Sequence, residues 1–163
     1  MKIAPLFQKD WDHVASIYME GIKTKNATFE TQCPSWEVWD GKHRKDCRFV
    51  AKKDGKVAGW VALSNVSMRP VYAGVCEVSI YIANDYKGKG VGSLLMQAMI
   101  DESEACGIWM LQAAIFPENA ASIHLHEKFG FRHVGIREKI GKMDGVWRDN
   151  VFLERRSRKA GIH

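Results

Sequence analysis

Several things are missing from this sequence, and each absence narrows what the chain can be. No apolar run approaches the roughly 20 residues that a membrane span needs, and Met1-Lys2-Ile3-Ala4-Pro5 lacks the apolar stretch of a secretory signal. A cytoplasmic location without membrane contact is the expectation. The four cysteines, Cys33, Cys47, Cys76 and Cys106, are scattered with no Cys-x-x-Cys and no metal-ligand spacing. That argues against a disulfide scaffold or a zinc site and for reduced, buried thiols, with no metal expected. There is no internal repeat, low-complexity tract or linker, so the 163 residues suit one domain, 1–163, with a real core. A nucleic-acid-binding module has only the net charge of +5 in its favour. Much of that excess sits in the basic tail 155–163, which reads as a solvated end, and no basic-aromatic surface motif accompanies it.

What is present reads as a mixed α/β domain. Lys2 to Leu6 suits a short strand. Asp10 reads as an N-cap before Trp11, Val14, Ile17, Tyr18 and Ile22 at helical spacing. Ser35 can cap a second helix carrying Val38 and Trp39. Arg48–Lys52 and Val57–Val66 flank the hairpin turn Asp54-Gly55, and Cys76–Ala83 is a third strand signal. The clearest helix carries Val91, Leu94, Leu95, Ala98, Met99, Glu102, Ala105 and Cys106 on one stripe, with Gly107 ending it. Trp109–Ile115 is apolar enough for a strand covered on both faces. A short helix near Ala120–Lys128, stopped by Gly130, precedes strands near Phe131–Lys139 and Val146–Glu154 around Met143-Asp144-Gly145.

The chemistry starts at Lys87-Gly88-Lys89-Gly90-Val91-Gly92-Ser93, between a strand and the long helix. A helix N-terminus presents unpaired N–H groups and the positive end of a dipole, which suits a phosphate. Glycines let the backbone wrap closely, and Lys87 and Lys89 add charge. The order needed for a P-loop is absent, and Ser93 stands where a dinucleotide fingerprint needs its third glycine. The remaining pattern is basic-x-x-Gly-x-Gly, which a plain helix start also satisfies.

Strand, Lys87-x-x-Gly90-x-Gly92, long helix, apolar strand, then Asn119 and a short helix ending in Phe129-Gly130-Phe131 resembles the GNAT N-acetyltransferases over nearly the whole chain. Lys87 departs mildly from the usual Gln or Arg. Within that family, Arg69-x-x-Tyr72, Glu77-x-Ser79-Ile80-Tyr81-Ile82, Asn119-x-x-Ser122-x-x-x-His126-Glu127 and Gly145-x-Trp147-x-Asp149 resemble the phosphinothricin and methionine sulfoximine/sulfone acetyltransferase group.

The resemblance implies a central mixed, largely antiparallel twisted sheet with helices on both faces and a splayed pair of strands. It implies acetyl-CoA as co-substrate, with Gly88 to Ser93 at the pyrophosphate and the backbone of Ile80, Tyr81 and Ile82 along the pantetheine like an added strand. Asn119 then meets the pantetheine side, with Ser122 beside it, although Asn119 also reads simply as a helix N-cap. Acetylating an amine that is mostly protonated at neutral pH needs a base, and Glu77 matches that position. An oxyanion needs a donor, for which a strand amide near Ile80 is a candidate. His126 stands where many relatives carry a tyrosine that protonates the leaving thiolate. His124, about 200° away on a helix, should then face elsewhere. Phe29 and Glu30 fall in the loop that covers the acceptor in this family. Arg69 suits an acceptor carboxylate, and Tyr72 the same pocket. Trp36, Trp39 and Trp147 read as packing residues or part of a homodimer interface. The implied reaction moves acetyl to a small amino-acid analogue bearing tetrahedral sulfur or phosphorus, detoxifying it. Another amine acceptor (polyamine, aminoglycoside, protein N-terminus) or a non-catalytic CoA sensor stays open.

Overall fold

Alternating and helical segments of the chain fold into one seven-stranded sheet in the order β1-β2-β3-β4-β5-β7-β6, described for residues 1–163 by a computed structural model. The strands are β1 (Lys2–Pro5), β2 (Phe49–Lys53), β3 (Lys56–Asn65), β4 (Val75–Ile82), β5 (Met110–Ile115), β6 (Arg132–Met143) and β7 (Val146–Arg156). The helices are α1 (Trp11–Thr24), α2 (Trp36–Lys42), α3 (Val91–Ala105) and α4 (Ala120–Lys128). Only the β4–β5 contact is parallel; all other neighbours run antiparallel. The chain is thus a single α/β domain, as the motifs implied. No helix is long and apolar enough to cross a membrane.

Turn chemistry sets the hairpins. Asp54 and Gly55 (φ 51° and 76°) and Asp144 and Gly145 (φ 49° and 78°) both adopt left-handed backbone, the pair of conformations a tight two-residue hairpin needs. Helix punctuation is equally local. Ser35 Oγ accepts the Val38 N–H at 3.3 Å, and Asn119 Oδ1 accepts the Ser122 N–H at 3.3 Å. Asp10 behaves differently from expectation. It makes no cap bond to α1; its carboxylate takes the Phe7 N–H at 3.0 Å and Lys52 Nζ at 2.8 Å, closing a 3-10 turn over Gln8–Asp10.

Two apolar layers cover the sheet. One joins α3 to Val61, Leu63, Val78, Leu111 and Leu153, with Ile123 and Leu125 of α4 packed against it; the other joins α1 and α2 to Val50, Trp60 and Ala62. The buried stripe of α3 is Val91, Leu95, Met96, Met99, Ile100 and Ser103, while Leu94 is 45% exposed and Cys106 is exposed. The expected stripe was therefore rotated. Apolar residues flank the core line Val91-Leu95-Met99 on both sides, Leu94 and Ala98 on one and Met96 and Ile100 on the other, so spacing alone does not fix which flank faces the sheet. The tail also differs from a solvated end. Arg155 pairs with Glu104 at 3.1 Å, Arg156 donates to the Ala160 carbonyl at 2.9 Å, and Ser157 and Ala160 are buried.

Candidate active site

The site begins where β4 and β5 part. Their pairing covers only Val75–Met110, Cys76–Leu111 and Glu77–Gln112, so beyond Glu77 the β4 backbone has no strand on that side. Side-chain alternation then decides what each face of β4 offers. Val78, Ile80 and Ile82 pack toward α3, whereas Tyr81 packs against Tyr18 (4.9 Å between ring centroids) and Trp60 (4.9 Å) on the other face.

Two cavities lie along this splay. One, of about 560 Å³, runs past Ile80, Tyr81 and Ile82 to Lys87, Gly88, Gly90, Val91, Gly92 and Ser93, with Asn119, Ser122 and His124 across from them. Gly88 (φ 72°) and Gly90 (φ 81°) hold left-handed conformations, and Gly90 is the residue at which α3 starts. A side chain at Gly92 would press on Leu125, its Cβ 3.0 Å from Cδ2. Bare backbone and a helix N-terminus thus face the cavity together, a cradle fitted to a pyrophosphate. Lys128 reaches the same place, its Nζ donating to Ser93 Oγ at 3.0 Å. Lys89 lies off this wall, 5.6 Å over the Tyr86 ring.

The second cavity, of about 580 Å³, is lined by Phe29, Glu30, Glu77, Ser79, Phe116, His126 and Asn150, among others. Ala27, Ile80, Tyr81, Asn119 and Ser122 line both cavities, so the two meet at the middle of the splay. Burial raises the affinity of Glu77 for its proton, partly offset by the Arg137 charge. A carboxylate so raised is a better base near neutral pH than an exposed one. His126 is 2% exposed, and burial pushes its pKa below the ordinary imidazole value despite the Ser122 carbonyl. Its Nδ1 lies 2.7 Å from that carbonyl, which can only accept, so Nδ1 carries the proton and Nε2 presents a lone pair. This ring stands ready to accept a hydrogen bond, a different state from the proton donor the resemblance implied. His124 is exposed and borders the other cavity, so the two histidines do part as helical spacing required.

Phe29 and Glu30 line the Glu77 cavity, Phe29 packing edge-on to Phe116 at 4.8 Å and over Gly141, where a Cβ would lie 2.7 Å from the ring. Arg69 and Tyr72 stack on each other (5.4 Å) in the exposed turn before β4 and line neither cavity. Trp39 is buried and Trp36 stacks on it at 5.7 Å, while Trp147 is 56% exposed on the β6–β7 hairpin.

Sequence reading missed Arg148. Its guanidinium lies 3.8 Å over Phe116 and donates to the Lys25 carbonyl, to Asn26 Oδ1 at 2.9 Å and to Glu118 Oε2 at 3.0 Å. It ties the end of α1 to the loop before Asn119, which shapes both cavities. No local signal announces a role built from contacts over a hundred residues apart. Asp46, Cys47 and Cys106 also gather, their ligand atoms within 4.8 Å of one another. Both Asp46 oxygens are held by Arg44 at 2.7 Å, and none of the three lines either cavity.

A splayed β4–β5 pair with a glycine-turned helix start on one side and a half-buried carboxylate on the other defines an acyl-transfer fold, and comparison with known proteins agrees. A family model described as "Acetyltransferase (GNAT) family" matches residues 9–131. The chain belongs to the GNAT acetyltransferase family. It is 36% identical over 151 residues to the L-methionine sulfoximine/L-methionine sulfone acetyltransferase of Pseudomonas aeruginosa, covering 89% of this chain and 88% of that one. It is 28% identical to the phosphinothricin N-acetyltransferase of Streptomyces coelicolor, over 95% of each chain. The phosphinothricin acetyltransferase of Sinorhizobium meliloti, solved in complex with AcCoA, superposes with a TM-score of 0.87 at 26% identity, covering 99% of this chain and 91% of that one.

Proposed function

We propose that the protein transfers acetyl from acetyl-CoA to the α-amino group of a small amino-acid analogue of the methionine sulfoximine, methionine sulfone or phosphinothricin type, thereby detoxifying it. The observation that carries this reading is the junction of the two cavities at Ile80, Tyr81, Asn119 and Ser122, with the glycine cradle at one end and Glu77 and His126 at the other. Relatives acting on such analogues supply the acceptor class.

The donor's pyrophosphate would lie on Gly88 to Ser93 with Lys87 and Lys128, and its pantetheine along the open backbone of Ile80 to Ile82, past Asn119 and Ser122. When bound it supplies a thioester carbonyl. Glu77, directly or through one water, takes the proton that the acceptor ammonium must lose before it can attack. His126 Nε2 accepts a hydrogen bond from that same end of the acceptor, and a free β4 N–H near Ile80 serves the developing oxyanion. Phe29 and Glu30 close the acceptor side. Lys42, on the wall of the Glu77 cavity, suits an anionic group of the acceptor. Arg69 and Tyr72 would serve an acceptor that extends beyond this wall.

The same reading takes the chain as a cytoplasmic homodimer that binds neither nucleic acid nor membrane. Support for the dimer is the β6–β7 hairpin at the edge of the sheet, where Val134, Ile136 and Ile140 of β6 and Val146 and Trp147 of β7 are all exposed. Sedimentation at micromolar concentration tests it. The acceptor is tested by a panel of amines with thiol release as readout. Methionine sulfone, sulfoximine or phosphinothricin should be turned over best; strong activity on a polyamine with none on these three would reassign the acceptor.

A further inference from the structure

Buried polar atoms in a folded protein are nearly always hydrogen-bonded, because burying one unpartnered forfeits its water without return. Five side-chain atoms here break that rule: Nε1 of Trp39 and Trp60, Nε of Arg48, Nε2 of His126 and Oδ1 of Asn150. The first three belong to one aromatic stack, in which Trp39 lies 5.5 Å from Trp60 and the Arg48 guanidinium 5.6 Å over Trp39. The last two are acceptors, and both line the Glu77 cavity.

Asn150 is the less expected of them. It is 7% exposed and precedes Val151 and Leu153, which pack into the α3 layer. Alternation along β7 therefore turns Asn150 to the opposite face of the sheet, the face that also carries Glu77, Ser79 and Tyr81 on β4. Its strand partner is Arg137, and its neighbour Val151 pairs with Ile115 at the open end of β5. An aliphatic residue would suit a strand position this deeply buried. A carboxamide whose oxygen finds no partner costs stability there, which calls for a ligand that supplies the missing donor.

The structure assigns Asn150 to the acceptor's amine subsite: its Oδ1 receives an N–H of the acceptor ammonium, in the cavity that Glu77 and His126 also line. This rests on the acetyltransferase reading and deepens it. A primary ammonium carries three N–H donors, and the wall offers three acceptors of different strength. Two neutral acceptors orient the nitrogen while the carboxylate removes its proton. The subsite therefore selects primary amines; a secondary amine, short of one donor, leaves an acceptor unpaired and binds less well. Asn150 acts as a positioning residue that touches substrate without exchanging a proton.

The test compares Asn150→Leu and Asn150→Asp with the unaltered protein, in steady-state kinetics on methionine sulfone and in thermal unfolding. Asn150→Leu should raise the KM for the amine about tenfold or more, as loss of a specific polar contact does, and leave the KM for acetyl-CoA unchanged. Its melting temperature should hold or rise, because an unpaired amide has been removed. Asn150→Asp keeps the acceptor oxygen and should retain amine affinity to within about threefold. An N-methylated acceptor should lose affinity in the unaltered protein and show little further loss in Asn150→Leu. If Asn150→Leu instead melts several degrees lower with unchanged amine KM, the side chain is structural and the assignment is wrong. If Leu and Asp variants lose amine affinity equally, shape rather than hydrogen bonding is at work, and the assignment again fails. If Asn150→Leu does not fold, Asn150→Asp together with the N-methyl comparison decides. An unaltered protein that turns over no amine, yet binds CoA in a calorimeter, overturns the acetyltransferase reading itself. Amine binding to the CoA complex, measured in the same calorimeter on both variants, then judges Asn150 separately.

Discussion

The two cavities share Ile80, Tyr81, Asn119 and Ser122, yet they are assembled in opposite ways. The glycine-turn cavity is chiefly backbone: a strand edge left open where β4 leaves β5, two left-handed glycines and the first turn of α3. Contiguous residues make most of it. The Glu77 cavity is side chains brought from α1, the loop before α2, β3, β4, β5, α4 and β7. Backbone geometry binds a constant ligand part such as a pyrophosphate, whereas a wall of scattered side chains can change residue by residue to suit different acceptors. On the proposed function, one cavity is generic to the fold and the other carries the specificity.

Glu77→Gln strains this division most. It should lower kcat at neutral pH by about a hundredfold or more, the usual worth of a positioned base, while acetyl-CoA affinity stays within about twofold. Loss of both together would mean that the cavities are not separable. Because burial raises the Glu77 pKa, the acid limb of the rate profile should have its midpoint above the ordinary carboxylate value of 4.5, and the Gln variant should lack that limb. A carboxyl whose folded pKa is raised contributes stability below its unfolded pKa and loses it as pH rises through the folded value. Glu77→Gln should accordingly melt no lower than the unaltered protein at pH 7.

Gly90→Ala probes the other side. The left-handed backbone at φ 81° costs a residue with a Cβ about 1–2 kcal/mol. The KM for acetyl-CoA should rise about tenfold as the cradle reshapes, with little change in the KM for the amine. An equal rise in both would blur the distinction.

His126 gives a smaller effect. Its folded pKa is depressed by burial, so its contribution is present above the unfolded value and lost as pH falls through the folded one. His126→Asn, which can still donate to the Ser122 carbonyl, should flatten the fall in melting temperature below about pH 6.5. A slope identical to that of the unaltered protein would show that the ring is not neutral in the folded state. The smallest change is expected from Lys128→Ala, a two- to threefold rise in acetyl-CoA KM that fades as salt is added.

Local signals account for most of what was legible. The Asp-Gly hairpins, the Ser35 and Asn119 caps, the helix-ending Gly107 and Gly130 and the glycine turn before α3 each depend on a few adjacent residues, whose backbone demands hold wherever the chain goes. Asp10 was misread because its partners, Phe7 and Lys52, form a turn and a cross-chain ion pair that outcompete a helix cap. The α3 stripe is rotated from its expected place because apolar residues flank Val91, Leu95 and Met99 on both sides, and only the sheet selects Met96 and Ile100 over Leu94 and Ala98. By itself, then, the sequence determined the order of elements, the turns, the family and the glycine turn that starts α3. Tertiary structure alone decided that β4 and β5 part after Glu77, that His126 turns a lone pair inward, that Arg148 joins the walls, and that Asn150 shares a cavity with Glu77. The difference has one cause. Backbone conformation answers to neighbours in sequence, whereas desolvation and unpaired acceptors exist only once distant segments have excluded the water between them.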